Sequence, residues 1–122
     1  MENLDRFHDG FLDGLLIQGA TVRVFLSTYS KQEFVLEVCG VLSLKADGFR
    51  QGNIIFDVLI RDGDDLTIHD IMNFFEFNEE AKALEKLEEA RRKNLVALEI
   101  NPSYGASCTI LAESVELLPR LK

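Results

Sequence analysis

The spacing of apolar residues changes twice along this chain, from a period of two to one of 3.6 and back to two. That change constrains the fold more than any single residue does. From Phe11 to Arg61 apolar and polar positions alternate. Asp13-Gly14, Gln18-Gly19, Asp47-Gly48 and Asp62-Gly63 each adjoin a run of strand composition. This predicts an antiparallel meander of four strands: Leu15 to Ile17, Thr21 to Thr28, Glu33 to Leu44 and Asn53 to Arg61. Gly40 interrupts the third, which predicts a bulge or a sharp bend. In the fourth, Ile54, Phe56, Val58 and Ile60 share one face and Ile55, Asp57, Leu59 and Arg61 the other. Both faces are partly apolar, so this strand is read as central.

The helical stretch follows. Ile68, Ile71, Met72 and Phe75 recur at i, i+3, i+4 and i+7 behind Thr67, whose hydroxyl is placed to cap the helix while Asp70 sits in its first turn. A second helix is bounded by Asn78 as its cap and Asn94 as a left-handed stop. Glu79 and Glu80 lie at its positive end and Arg91, Arg92 and Lys93 at its negative end, with Glu88/Arg92 and Glu89/Lys93 as i,i+4 pairs. Its apolar stripe of Ala83, Leu84, Leu87 and Ala90 is narrow, as suits a helix that covers a sheet rather than enters a core. The Phe74-Phe75 pair with Phe77 reads either as the plug sealing the helices to the sheet or as an exposed partner-binding patch. Leu95 to Ile100 and Ala106 to Leu118 then form a hairpin around Asn101-Pro102-Ser103-Tyr104-Gly105. Four strands, two helices and two strands make an α+β domain built on an antiparallel sheet of about six strands, curved or barrel-like, and not the alternating βαβ of a parallel sheet.

With 122 residues, no linker and no internal repeat, the chain 1–122 is one domain. Two cysteines do not make a disulfide scaffold, and Cys39 and Cys108 fall among apolar neighbours inside strands, as buried small hydrophobes do. No apolar run approaches the roughly 18 residues of a membrane span, and no signal-peptide pattern opens the chain, so the expected location is cytoplasmic and no membrane partner is expected. There are 13 basic against 21 acidic residues, a net charge of −8, which argues against nucleic acid as a partner because phosphate binding draws on Lys and Arg. Most of the excess acid lies before residue 76, and every aspartate falls between Asp5 and Asp70, many beside turn glycines.

Chemistry-bearing patterns are sparse. His8-Asp9 and His69-Asp70, with Asp13 or Asp57, offer metal-ligand types, but a metal needs three or four ligands converging on one point, and two histidines are few. The acidic Asp62-Gly63-Asp64-Asp65 lacks the spacing of a calcium loop and reads as a hairpin or connector turn. No nucleophile elbow, P-loop or dinucleotide fingerprint is present, so no catalytic residue, metal or cofactor is assigned. Asn53, opening an apolar strand, and Tyr104, ending a proline-containing loop, are the polar positions a partner could read. Each also suits a structural role, the Asn by bonding the backbone of a neighbouring turn.

The run Phe7-His8-Asp9-Gly10, the meander, Gly40-Val41-Leu42, Gly48-Phe49-Arg50-Gln51-Gly52-Asn53-Ile54-Ile55 and Ser103-Tyr104-Gly105 together resemble small bacterial proteins. These include immunity proteins of polymorphic toxin systems, with their N-terminal His-Asp and later Phe-x-x-x-Asn-Ile. The resemblance covers residues 7 to 61 and, more loosely, the final hairpin; the helical pair has no counterpart in it. It implies a non-enzymatic protein that binds and neutralises a cognate toxin, with His8, Asp9, Asn53 and Tyr104 as candidate partner-binding residues. The alternatives are a small-molecule- or metal-binding domain or small hydrolase using His8 and Asp9, and a structural subunit that self-associates through the helix from Asn78 to Lys93.

Overall fold

A computed structural model describes residues 4–76 and 78–120. Phe77, part of the predicted plug, lies outside the described residues. The elements follow the predicted order: a 3₁₀ turn Asp5–Phe7, β1 (Phe11–Gln18), β2 (Thr21–Ser27), β3 (Glu33–Asp47), β4 (Asn53–Asp62), a 3₁₀ turn Gly63–Asp65, α1 (Ile68–Phe75), α2 (Glu80–Arg92), β5 (Val96–Tyr104) and β6 (Ser107–Pro119). All pairings are antiparallel, and the strands close into a ring in the order β1-β2-β3-β6-β5-β4. The fold is therefore α+β, with the sheet barrel-like.

Alternation explains the interior. Val22, Val24 and Leu26 of β2 face Val38, Leu36 and Phe34 of β3, and all six are buried inside the ring with Leu98, Ile100, Cys108 and Ile110 of the final hairpin. The first turn closes one mouth: Phe7 is fully buried and meets the Phe34 ring edge-on at 5.5 Å between centroids. The longest ladder joins β3 to β6, from Phe34 opposite Pro119 to Asp47 opposite Ser107. It is kinked between Val41 and Ser43, just after Gly40, as the interrupted alternation predicts.

The helical pair lies on the outside of the ring. Ala97 of β5 and Leu111 of β6 point away from the interior into a second apolar cluster with Ile71, Phe74, Ala83 and Leu87. Thr67 and Asp70 form the expected capping box, and Ser43 donates to the Phe74 carbonyl at 2.8 Å, fixing the end of α1 to β3. Asn94 takes the left-handed conformation read for it, and Lys93 pairs with Glu89 at 2.8 Å. Phe74 is buried and Phe75 partly so, which makes them the plug between helices and sheet.

Local expectations shift in several places. β1 begins at Phe11 and β3 runs on to Asp47, because pairing with β2 and β6 recruits residues whose own pattern is weak. β5 runs through Tyr104, absorbing the predicted loop, and α2 is capped at Glu79 rather than Asn78. Cys108 is buried, but Cys39 is only half-buried. The largest change is in β4. Register shifts on either side of Ile55 rotate the strand, so Asn53, Ile55 and Val58 point inward while Phe56 turns out, 53% exposed. β4 is also less central than read: it pairs with β5 along its length, but with β1 only where Phe11 meets Ile54 and Leu12 meets Asn53.

Candidate functional site

The four residues singled out from sequence converge on the first half of β4, and the structure divides them into one that builds the frame and three that face outward. Asn53 is the frame residue, 5% exposed. Its side-chain oxygen accepts the Arg50 N–H at 2.7 Å and the Ala106 N–H at 3.0 Å. Its amide nitrogen donates to the carbonyls of Arg50 at 2.8 Å and Leu12 at 3.4 Å. One buried side chain thus ties the β3–β4 turn, β1 and the β5–β6 turn together.

Tyr104 pairs across the ladder with Ile54 and is 53% exposed on the outer face. His8 and Asp9 follow the first turn, which is laid along β4 by two backbone bonds: Asp9 N–H to the Ile55 carbonyl and Ile55 N–H to the Gly10 carbonyl, both at 2.9 Å. His8 Nδ1 lies 2.6 Å from the Phe56 carbonyl oxygen. A carbonyl only accepts, so Nδ1 carries the hydrogen. The imidazole also packs edge-on to the Phe56 ring, centroids 5.5 Å apart. His8 Nε2 stands 3.6 Å from the Asp9 carboxylate, a contact that becomes an ion pair when the ring is protonated.

Phe56, Asp57 and Leu59 complete this face; sequence reasoning did not single out Phe56 or Leu59, and weighed Asp57 only as a metal-ligand type. The alternating pattern puts Phe56 on one face with Ile54, Val58 and Ile60. The available warning is the run Ile54-Ile55-Phe56, three apolar residues in a row, which no strand with a single inner face requires. Between the first turn and β4 lies an open depression of about 410 Å³, lined by Leu4, Asp5, His8, Phe56 and Asp57. Asp57 accepts the Asn101 side-chain N–H at 2.7 Å through Oδ1.

Farther along β4, Arg61 grips Asp70 with two bonds, 3.0 and 2.9 Å, and also pairs with Glu99. This fastens the start of α1 to the outer face of β4 and β5. The Asp70 hydrogen bond and both carboxylate charges raise the Arg61 value against the opposing effect of burial. Burial pushes the Asp70 carboxyl up, but the bonds from Arg61 and from Thr67 outweigh it and hold the group below its ordinary value. Burial pushes the Cys108 thiol up to about 12.

The two His-Asp dipeptides do not converge. His8 sits over Phe56, whereas His69 is an exposed residue of α1, and among the described residues no three His, Cys, Asp or Glu side chains are grouped to hold a metal ion. Asp13 is engaged by Arg120 and Ser27 instead. Asp62-Gly63-Asp64-Asp65 forms the connector turn read from its spacing. On α2, Leu84 is exposed among charged residues. Among the described residues no helix is long and apolar enough to cross a membrane. No known protein family, no curated protein and no solved structure matches this chain.

Proposed function

We propose that the protein is a non-enzymatic binding domain that docks another protein on the outer face of β4 and β5. The observation that carries this reading is the placement of Phe56, Leu59 and Tyr104. All three are large and substantially exposed, and they lie on one strand pair beside the anchored His8. The helical pair covers the outer side chains Ala97 and Leu111 on the neighbouring stretch of sheet and leaves these three uncovered. Exposed aromatic side chains held on rigid strands are efficient anchors, since little conformational freedom remains to be lost on binding. The residues filling the ring's interior support the same reading, because they leave the outer surface as the place for recognition. The resemblance to immunity proteins names the class of partner: a toxin that is neutralised by being occupied.

The test uses the tagged full chain, recovered from its native host after crosslinking, beside the Phe56→Glu/Tyr104→Glu double variant. A partner recovered with the wild type and depleted by at least about tenfold with the variant is the expected result. Equal recovery by both, or repeated recovery of the chain alone, overturns the docking reading. For the toxin assignment, deletion of the gene should poison the host only while the partner's gene is intact.

A further inference from the structure

Resting on the docking reading, the geometry points to a specific occupant for the depression between the first turn and β4: an arginine side chain projecting from a basic surface of the partner. The depression combines an aromatic floor with a carboxylate wall. The Phe56 ring is half-exposed, and its position is fixed twice, by the near-perpendicular His8 imidazole packed against it and by the His8 N–H on its own carbonyl. Asp57 stands beside it, oriented by Asn101 through one carboxylate oxygen. Among the described residues, neither lysine nor arginine lines the depression.

The basic side chains on neighbouring elements are already engaged. Arg6 sits over the Phe34 ring at 5.0 Å, and Arg61 is held by Asp70 and Glu99. The site is therefore negative with an apolar base, and what complements it is a cation with a flat, weakly hydrated face. A guanidinium meets both demands, stacking on an aromatic ring while its edge pairs with a carboxylate, whereas an ammonium is a strongly hydrated point charge. The chain's overall charge of −8 favours the approach of such a surface.

The test is a titration of the isotopically labelled full chain with N-acetyl-argininamide, followed by amide NMR shifts, beside the neutral citrulline analogue of the same shape. Saturable shifts centred on His8, Phe56 and Asp57 are expected with arginine and about tenfold weaker binding with citrulline. Asp57→Asn keeps the oxygen that receives Asn101 and removes the charge, so it should preserve the fold and reduce the arginine response to the citrulline level. Equal responses to the two compounds, or shifts scattered over the surface, overturn the proposal. If the partner is lost with Phe56→Glu/Tyr104→Glu but binds Asp57→Asn like the wild type, the docking face stands and the arginine assignment falls. If the double variant retains the partner, the face itself is wrong.

Discussion

The side-chain oxygen of Asn53 accepts the backbone N–H of Ala106 at 3.0 Å across a gap of 53 residues in sequence. Because that oxygen also takes the Arg50 N–H, truncating the side chain strands two donors at once. Asn53→Ala should destabilise the protein by about 2–4 kcal/mol, most of it from unsatisfied buried groups. Asn53→Asp retains the acceptor but loses both donors and buries a charge, so it should be no milder. Urea unfolding of the two variants measures this, and a loss below about 0.5 kcal/mol for Asn53→Ala contradicts the clasp.

A neighbouring pair of glycines separates backbone strain from crowding. Gly105 (φ +86) and Gly52 (φ +72) are both left-handed, but a methyl at Gly105 would collide with the Asn53 carboxamide, whereas one at Gly52 would meet nothing within 4 Å. Each alanine variant should lose about 1 kcal/mol from conformation alone. Gly105→Ala should lose distinctly more, and a matched pair of thermal melts reads the difference.

Much of the architecture is legible in the chain because helix caps, turns and alternation are local. Thr67 with Asp70, the stop at Asn94 and the bend after Gly40 all declare themselves within a few residues. The role of Asn53 is legible for a similar reason, since an Asn opening an apolar strand has little to bond except nearby backbone. Pairing partners are another matter. Nothing near Phe34 indicates Pro119, and the outward turn of Phe56 depends on a register shift that leaves the apolar content of β4 unchanged. The exposed face was thus half visible, through His8, Asp9 and Tyr104, while its aromatic centre was hidden by a pattern that reads equally well in either frame.

Acid should loosen the seam between α1 and the sheet. The folded value of Asp70 lies below its ordinary one, so its ion pair with Arg61 contributes fully above the ordinary carboxylate value of roughly 4 and is lost as pH falls through the lowered folded value. Asp70→Asn should cost about 1–2 kcal/mol at pH 7, and the gap to wild type should close below about pH 4. Urea midpoints from pH 7 to 2.5 follow this directly. A gap that widens in acid has the wrong sign for the mechanism.

The two thiols should be chemically distinct. Cys108 is buried with its thiol pushed up to about 12, whereas Cys39 is half-buried on β3. At pH 8 a thiol reagent should label Cys39 in the folded protein and reach Cys108 only after denaturation. Mass spectrometry of the labelled peptides identifies which has reacted. Rapid native labelling of Cys108 would place it outside the core.

The ring is closed unevenly, and this sets the order in which it comes apart. β3 and β6 are zipped along nearly their whole lengths, but β1 reaches β4 only at Phe11 and Leu12, helped by the bonds that Asp9 and Gly10 make to Ile55. Lengthening a closed loop adds little entropy cost, so the number of bonds gained decides which closure holds. The molecule should therefore assemble as an open curved sheet that rounds up last at this seam, and breathe there first. Amide protons of Asp9 and Ile55 should exchange with solvent ahead of those in the β3–β6 ladder. The outer face proposed for docking hangs on the seam's latch, so its shape follows the rhythm of that opening rather than the stability of the whole.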